Sequence, residues 1–167
     1  MALNTLEDAF VHELGDVLNA EKQIARVLPK MAKAATDPKL KESLARHQRE
    51  TEEQIKRVER VFEALGKRPR GPKCEGMKGI LEEGANMLNE DVAPEVLDAL
   101  IIAGSQKAEH YEIATYGTLC TWADQLGLGD ASKLLKQTLS EEKKADELLT
   151  DAAMSINQEA AAPSGMA

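Results

Sequence analysis

Residues 6–31 read LEDAFVHELGDVLNAEKQIARVLPKM, and apolar side chains recur there in steps of three and four residues. This spacing puts them on one face of an α-helix, whereas a β-strand has a two-residue period. Thr5 can cap the start of this helix, and Asp8 favours its positive end. The stretch therefore predicts a long amphipathic helix from about Thr5 to Ala35, with a kink expected at Pro29.

Three further stretches repeat the pattern and predict three more long helices. They are expected over residues 38–65, 94–126 and 130–157. Asp37-Pro38 offers a cap followed by a proline in the first helical position, and Gly66 can close the second helix. The turn at residues 127–130 is expected to end the third helix and to cap the fourth. Short turns within each pair predict two antiparallel hairpins.

Residues 67–93 join the two hairpins and are interrupted by several prolines and glycines. Met77, Ile80, Leu81 and Leu88 predict a short extra helix within this crossover. Two tight hairpins joined by one long crossover are typical of ferritin-like bundles. The sequence thus predicts an all-α, ferritin-like antiparallel four-helix bundle as one domain over residues 1–157, followed by a flexible tail at residues 158–167.

The charge and cysteine content exclude several classes of protein. The chain has 29 acidic and 21 basic residues and a net charge of -8, which argues against binding to nucleic acid. Cys74 and Cys120 lie far apart without a neighbouring zinc motif, so neither a metal finger nor a disulfide framework is expected, and inert packing is predicted for both. The N-terminus lacks a basic start followed by an apolar run, and no stretch approaches ~18 apolar residues. We therefore expect a cytoplasmic protein with no membrane association.

Polar residues interrupt the apolar face of every long helix near its middle. They are Glu21 in the first helix, His47, Glu50 and Gln54 in the second, Glu109 and Glu112 in the third, and Glu142 and Asp146 in the fourth. Antiparallel helices of similar length bring their midpoints to one level. At ~1.5 Å of rise per residue, all six carboxylates are expected within a slab about two turns thick.

Six carboxylates in an aliphatic core repel one another by several kcal/mol or more unless protonation, paired cations or bound metal relieves the repulsion. Lysine and arginine are absent from these helix faces, so bound divalent metal is the economical explanation. Carboxylate-rich ligand sets with at most one imidazole suit iron or manganese better than zinc. The sequence predicts two metal ions with bridging carboxylates, iron as the leading choice and manganese as the alternative.

Other interpretations of these residues stay open. The polar level can instead be a hydrated layer that fixes the register of the helices. His47 is either a ligand or a hydrogen-bond partner of a ligand such as Glu50, and Gln54 is expected to donate to a ligand. Tyr116, one turn from Glu112, is expected to be a core tyrosine. The alternative is a hydrogen bond from Tyr116 to a ligand or to a bound oxygen species.

Several runs of sequence carry a further signal. They are Ala20-Glu21-Lys22-Gln23, HQRETEEQ at residues 47–54, EHYEIA at residues 109–114, and Glu141-Glu142-Lys143 with Asp146. These runs resemble the bacterial YciF/YciE family of ferritin-like stress proteins, and the resemblance extends from about Thr5 to Asp151. Lys73-Cys74 and the run at residues 116–119 bring the chain closest to the YciF branch.

The resemblance implies a dimeric, rubrerythrin-like bundle with a dinuclear metal site, in a family often labelled ferroxidase and associated with stress responses. Its metal positions carry over to Glu21, Glu50, Glu109, Glu112, Glu142 and Asp146. The general di-iron pattern offers Glu-x-x-His from two helices. Here the second helix has the order His47-x-x-Glu50 and the third has Glu-x-x-Glu, which predicts a more anionic site.

Three functions follow as hypotheses. The leading one is an oxidoreductase that oxidises Fe(II) with O2 or peroxide at the mid-bundle site. The second keeps the site, fills it with manganese and decomposes peroxide. The third is a non-catalytic homodimeric stress or interaction protein whose polar layer is structural.

Overall fold

The computed structural model describes residues 3–88 and 90–161, without the side chain of Glu95. Five helices follow one another along the chain. They are α1 (Leu6–Ala34), α2 (Pro38–Ala64), α3 (Glu75–Met87), α4 (Pro94–Gln125) and α5 (Gly129–Ala160). Within these described ranges there is no strand. The prediction of an all-helical protein is confirmed.

The ends of the first two helices are set by the residues that the sequence singles out. Asp8 N donates to Thr5 Oγ1 at 3.1 Å while Thr5 N donates to Asp8 Oδ2 at 3.0 Å, which is a complete capping box. Asp37 Oδ1 accepts from Leu40 N at 2.7 Å, and Pro38 is the first residue of α2. Pro29 lies inside α1, which continues to Ala34.

The crossover contains the predicted short helix. Cys74 caps α3, because Met77 N donates to Cys74 Sγ at 3.4 Å. Tyr111 of α4 donates from its hydroxyl to Asp16 of α1 at 2.7 Å, and this hydroxyl lies 3.0 Å from Cys74 Sγ. The start of α3 is thus tied to both α1 and α4. Cys74 and Cys120 are buried and free.

The fourth long helix differs from its prediction at both ends. It begins at Gly129, so Asp130 lies in its first turn and does not cap it. The left-handed backbone of Gly127, with φ +71°, is what turns the chain after α4. α5 continues to Ala160, beyond the predicted end at Asn157, because residues 158–160 are Gln, Glu and Ala, all good helix formers. Of the predicted tail, residues 162–167 lie outside the described residues.

Two clusters of buried apolar side chains flank a polar level in all four long helices. The first cluster contains buried residues of segments 10–18 of α1, 58–62 of α2, 116–123 of α4 and 131–135 of α5. The second cluster contains buried residues of segments 20–28 of α1, 40–44 of α2, 101–108 of α4 and 149–156 of α5. Along α1 and α5 the chain passes the first cluster before the second, and along α2 and α4 it passes the second before the first. Helices α1 and α2 are therefore antiparallel, and so are α4 and α5. α1 also packs against α4, and α2 against α5.

The short helix α3 packs against α1 and α4 and contributes Met77 to the second cluster. Among the helices that the structure describes, none combines the length and the apolar character needed to cross a membrane.

Candidate metal centre

Four buried side chains with metal-ligand chemistry meet at the polar level between the two clusters. They are His47 of α2, Glu109 and Glu112 of α4, and Glu142 of α5, and their ligand atoms all lie within 4.8 Å of one another. Glu109 and Glu112 are one helical turn apart, so they project from the same face of α4. The arrangement brings three carboxylates and one imidazole within reach of a shared cation.

Glu21 of α1 lies beside this group and is fully buried. It is close enough for its charge to raise the pKa of Glu112. Tyr116 packs in the first apolar cluster, as expected for a core tyrosine, and its hydroxyl also donates a hydrogen bond to Glu21 Oε1. We call Glu21, His47, Glu109, Glu112 and Glu142 the acidic cluster.

The structure does not bring Glu50 and Asp146 into the acidic cluster. The Glu50 side chain is 35% exposed and lies 4.0 Å from Arg46. Asp146 is 22% exposed, accepts from Gln106 at 3.1 Å and lies 3.3 Å from His110. The expectation that all six carboxylates converge at one buried level is therefore wrong for these two.

The two errors have the same cause. The next buried residue along a helix can lie three or four positions further on, and the prediction took the wrong one of these two steps in α2 and in α5. In α2 the buried face continues from His47 to Thr51 and then to Gln54, so Glu50 lies at the edge of this face. In α5 the buried face continues from Glu142 to Ala145 and Leu149. Asp146 is the next residue after Ala145 and lies at the edge of that face.

Gln54 holds one of the carboxylates in place, as the sequence predicts. Its side chain is fully buried, and Nε2 donates to Glu142 Oε1 and, at 3.2 Å, to Glu141 Oε2. His47 Nε2 lies 3.3 Å from Glu109 Oε1, whereas the predicted alternative partner of His47 was Glu50. Both contacts orient carboxylates of the acidic cluster.

Arg57 and Glu141 form an ion pair that is absent from the sequence-based expectations. The guanidinium contacts the Glu141 carboxylate through two hydrogen bonds of 2.6 and 2.7 Å, and it also donates to Thr138 at 3.1 Å. Glu141 in turn accepts from Gln54, which links the pair to the acidic cluster. The signal in the sequence is the spacing of Arg57 one turn after Gln54, because a long side chain beside a buried face can reach over it.

Burial sets the protonation of the acidic cluster. Desolvation, followed by the charge of Glu142, raises the pKa of Glu109 to about 11. Desolvation also raises the pKa of Glu142 to about 7 and the pKa values of Glu21 and Glu112 well above the ordinary range. The same effect lowers the pKa of His47 to about 4. In the absence of a cation, protons therefore keep most of the cluster neutral at pH 7.

Many polar atoms of this region are buried without a hydrogen-bond partner within the described residues. They are Glu21 Oε2, His47 Nδ1, Gln54 Oε1, Glu109 Oε2, both carboxylate oxygens of Glu112, and Glu142 Oε2. Buried polar atoms normally have partners, since an unpaired one costs free energy. Carboxylate oxygens supplemented by one imidazole are the ligands that iron and manganese accept. The donor set therefore fits a divalent cation of this kind.

Fold and site together define a class: an all-helical protein with a buried cluster of carboxylates and one imidazole that could hold a metal ion. Within that class the chain belongs to the DUF892 family, described as a domain of unknown function, because residues 5–162 match it.

Two relatives support this assignment. Protein YciF of Escherichia coli (strain K12) is 45% identical over 162 residues, which cover 96% of this chain and 98% of the relative. The crystal structure of the E. coli stress protein YciF superposes with a TM-score of 0.90 at 44% identity, covering 93% of this chain and 99% of that chain. YcfI of Rhodopseudomonas palustris, named as a candidate structural protein, superposes with a TM-score of 0.86 at 43% identity, covering 88% and 94%. The predicted resemblance to YciF is confirmed.

Proposed function

We propose that the acidic cluster binds two metal ions and that the protein oxidises Fe(II) with O2 or peroxide. The observation that carries the proposal is the set of buried carboxylate oxygens without hydrogen-bond partners among the described residues. We further propose that α1, α2, α4 and α5 form a ferritin-like antiparallel four-helix bundle and that the protein is a homodimer in the cytoplasm. The name of the E. coli relative, a stress protein, supports a role in stress.

Different residues of the acidic cluster would bind the two metal ions. Glu109, Glu142 and His47 would hold one ion, since their ligand atoms already adjoin. Glu112, whose two oxygens have no hydrogen-bond partner among the described residues, would hold the second ion together with Glu21. Glu50 and Asp146 remain predicted ligands. Their side chains would have to rotate inward from the edge of the cluster to reach a metal ion.

Neighbouring groups would keep the ligands in place and manage their protons. Gln54 and Tyr116 each donate to one oxygen of a carboxylate, and the other oxygen has no partner in the described part of the chain. The high pKa values of Glu109 and Glu112 mean that cation binding has to displace protons. Each pair of Fe(II) ions would give two electrons to one oxidant molecule, which would also take up two protons. O2 would then leave as hydrogen peroxide, and hydrogen peroxide would leave as two molecules of water.

Anaerobic titration with Fe(II), followed by either oxidant, tests the proposal. We expect two iron ions per chain and, after oxidation, a near-ultraviolet absorption band of ferric carboxylate. Glu142→Ala should lose both, while Glu147→Ala, which removes an exposed acid from the same helix, should keep both. Full iron occupancy without the band would refute oxidation.

The same preparations separate the other two functions. Oxygen evolution from peroxide by the manganese-loaded protein would favour peroxide decomposition. A folded protein that takes up no metal would favour a structural polar layer.

A further inference from the structure

An apolar crevice lies beneath α3, between that helix and the helices α1 and α4. It encloses about 110 Å³, and apart from Lys30 its described lining is apolar side chains and glycines, among them Ile80, Leu88 and Ile101. A smaller cavity of about 20 Å³ adjoins it toward the middle of the protein. We call the two the α3 crevice and the inner cavity. They share the lining residues Val27, Met31, Leu81 and Gly104, so these residues lie between the two neighbouring cavities.

The inner cavity ends at the acidic cluster. His47, Glu109 and Ser105 line it, and all three are more than nine-tenths buried. His47 Nδ1 and Ser105 Oγ have no hydrogen-bond partner in the part of the chain that the structure describes. His47, Glu109 and Ser105 thus form the polar end of an otherwise apolar cavity, where a small molecule would meet the cluster.

Gly104 lines both the α3 crevice and the inner cavity. A Cβ atom built on Gly104 would meet nothing within 4 Å, so the glycine is not required by close packing. Its backbone is helical, so no left-handed conformation requires it either. Glycine is unfavourable in the interior of a helix. The space in front of Gly104 belongs to both cavities, because Gly104 lines the α3 crevice and the inner cavity.

Size and polarity limit what can enter these two cavities. A volume of about 20 Å³ is close to the ~10–15 Å³ that a single water-sized molecule requires. Apolar walls disfavour molecules that hydrogen-bond strongly to water, and they exclude ions. A small uncharged apolar molecule fits both limits, and hydrogen peroxide does not fit the second.

We propose that the α3 crevice and the inner cavity admit dioxygen to the His47 and Glu109 side of the acidic cluster, and that dioxygen is the oxidant. This inference rests on the proposed function, and it selects one of the two oxidants named there. Hydrogen peroxide, if it reacts, reaches the cluster by another way.

Xenon tests the path without any metal or turnover, because it occupies apolar cavities of this size. Crystals of the wild-type protein under xenon pressure should show xenon beneath α3, and Gly104→Leu should lose it. Gly117→Leu is the matched control on the same helix, since a Cβ atom there also meets nothing within 4 Å and Gly117 lines neither cavity. Absence of xenon from the wild type would overturn the proposal.

Stopped-flow oxidation of Fe(II)-loaded protein supplies the second readout. In Gly104→Leu the rate with O2 should fall by about tenfold or more, because close-packed side chains leave few alternative routes. The rate with peroxide and the iron stoichiometry should match those of Gly117→Leu. Gly104→Ala, which adds a single methyl group, gives an intermediate fall and replaces the leucine variant should that one not fold.

The outcomes distinguish the two proposals. Equal rates with O2 in Gly104→Leu and Gly117→Leu, with xenon displaced, would overturn the dioxygen path and leave iron oxidation standing. A wild type that binds xenon but oxidises no iron with either oxidant would overturn the proposed function and, with it, dioxygen as the occupant.

Discussion

Replacing Glu109 by glutamine should stabilise the metal-free protein at neutral pH. Glu109 is 2% exposed, and burial together with the charge of Glu142 raises its pKa to about 11. Glutamine has nearly the same shape, keeps a hydrogen-bonding oxygen and needs no proton to be buried without charge. The variant therefore removes a protonation requirement while leaving the packing of α4 in place.

The expected size of the effect follows from proton linkage. The ordinary pKa of the glutamate side chain is 4.5. Between 4.5 and about 11 the folded protein binds one more proton at Glu109 than the unfolded chain does, so the free energy of unfolding falls as the pH rises. The loss is about 1.4 kcal/mol per pH unit and reaches about 3 kcal/mol at pH 7. Glu109→Gln avoids this loss, and its advantage should vanish toward pH 4.5.

Urea unfolding followed by circular dichroism measures this advantage. Protein freed of metal with a chelator is unfolded at pH 5.5, 6.5 and 7.5, and the difference between variant and wild type should grow by about 1.4 kcal/mol per pH unit. Glu147→Gln serves as the control, because it removes the same charge from an exposed position.

Parallel pH profiles for wild type and Glu109→Gln would refute the reasoning. They would mean that Glu109 carries its charge in the folded protein and that the acidic cluster is hydrated. The opposite signs of the two effects of Glu109→Gln strengthen the test: the substitution that stabilises the metal-free protein should weaken metal binding.

Three further predictions concern the surroundings of the acidic cluster. Tyr116→Phe leaves Glu21 Oε1 without its donor, so the free energy of unfolding should fall by about 1–3 kcal/mol in urea titrations; an unchanged value would argue against this hydrogen bond. Arg57→Met removes the ion-pair partner of Glu141, which in turn contacts Gln54, so the affinity for manganese measured by calorimetry should fall by about tenfold. An unchanged affinity would show that the Arg57–Glu141 pair does not position Glu142. Manganese binding at pH 7 should release protons from Glu109 into a weakly buffered indicator solution, and no release would contradict its raised pKa.

The helical architecture could be predicted because local signals set it. Thr5 and Asp37 act as caps, Pro38 and Pro94 begin helices, and the apolar period defines the buried faces. The end of α5 could not be predicted in this way, since residues 158–160 favour a helix and none of them stops one.

The candidate site could be predicted in part. Glu21, Glu109, Glu112 and Glu142 interrupt apolar faces, and the structure buries all four together. Glu50 lies beside Thr51, and a polar stretch leaves both steps of the helical pattern open, so the apolar period could not decide between them.

The contacts around the cluster depend on tertiary structure. The hydroxyl of Tyr116 reaches Glu21 on another helix, and the guanidinium of Arg57 reaches across to Glu141. The sequence places Arg57 one turn after Gln54, but it does not identify the partner of either side chain, because the partners are remote along the chain. Side-chain length and the packing of the helices determine both.

Anomalous diffraction at the iron and manganese edges tests the central claim most directly. Crystals loaded with either metal should show two anomalous peaks among Glu21, Glu109, Glu112 and Glu142, next to His47. A well-ordered acidic cluster without an anomalous peak, with metal bound only at surface carboxylates, would contradict the claim that these buried groups form a metal centre.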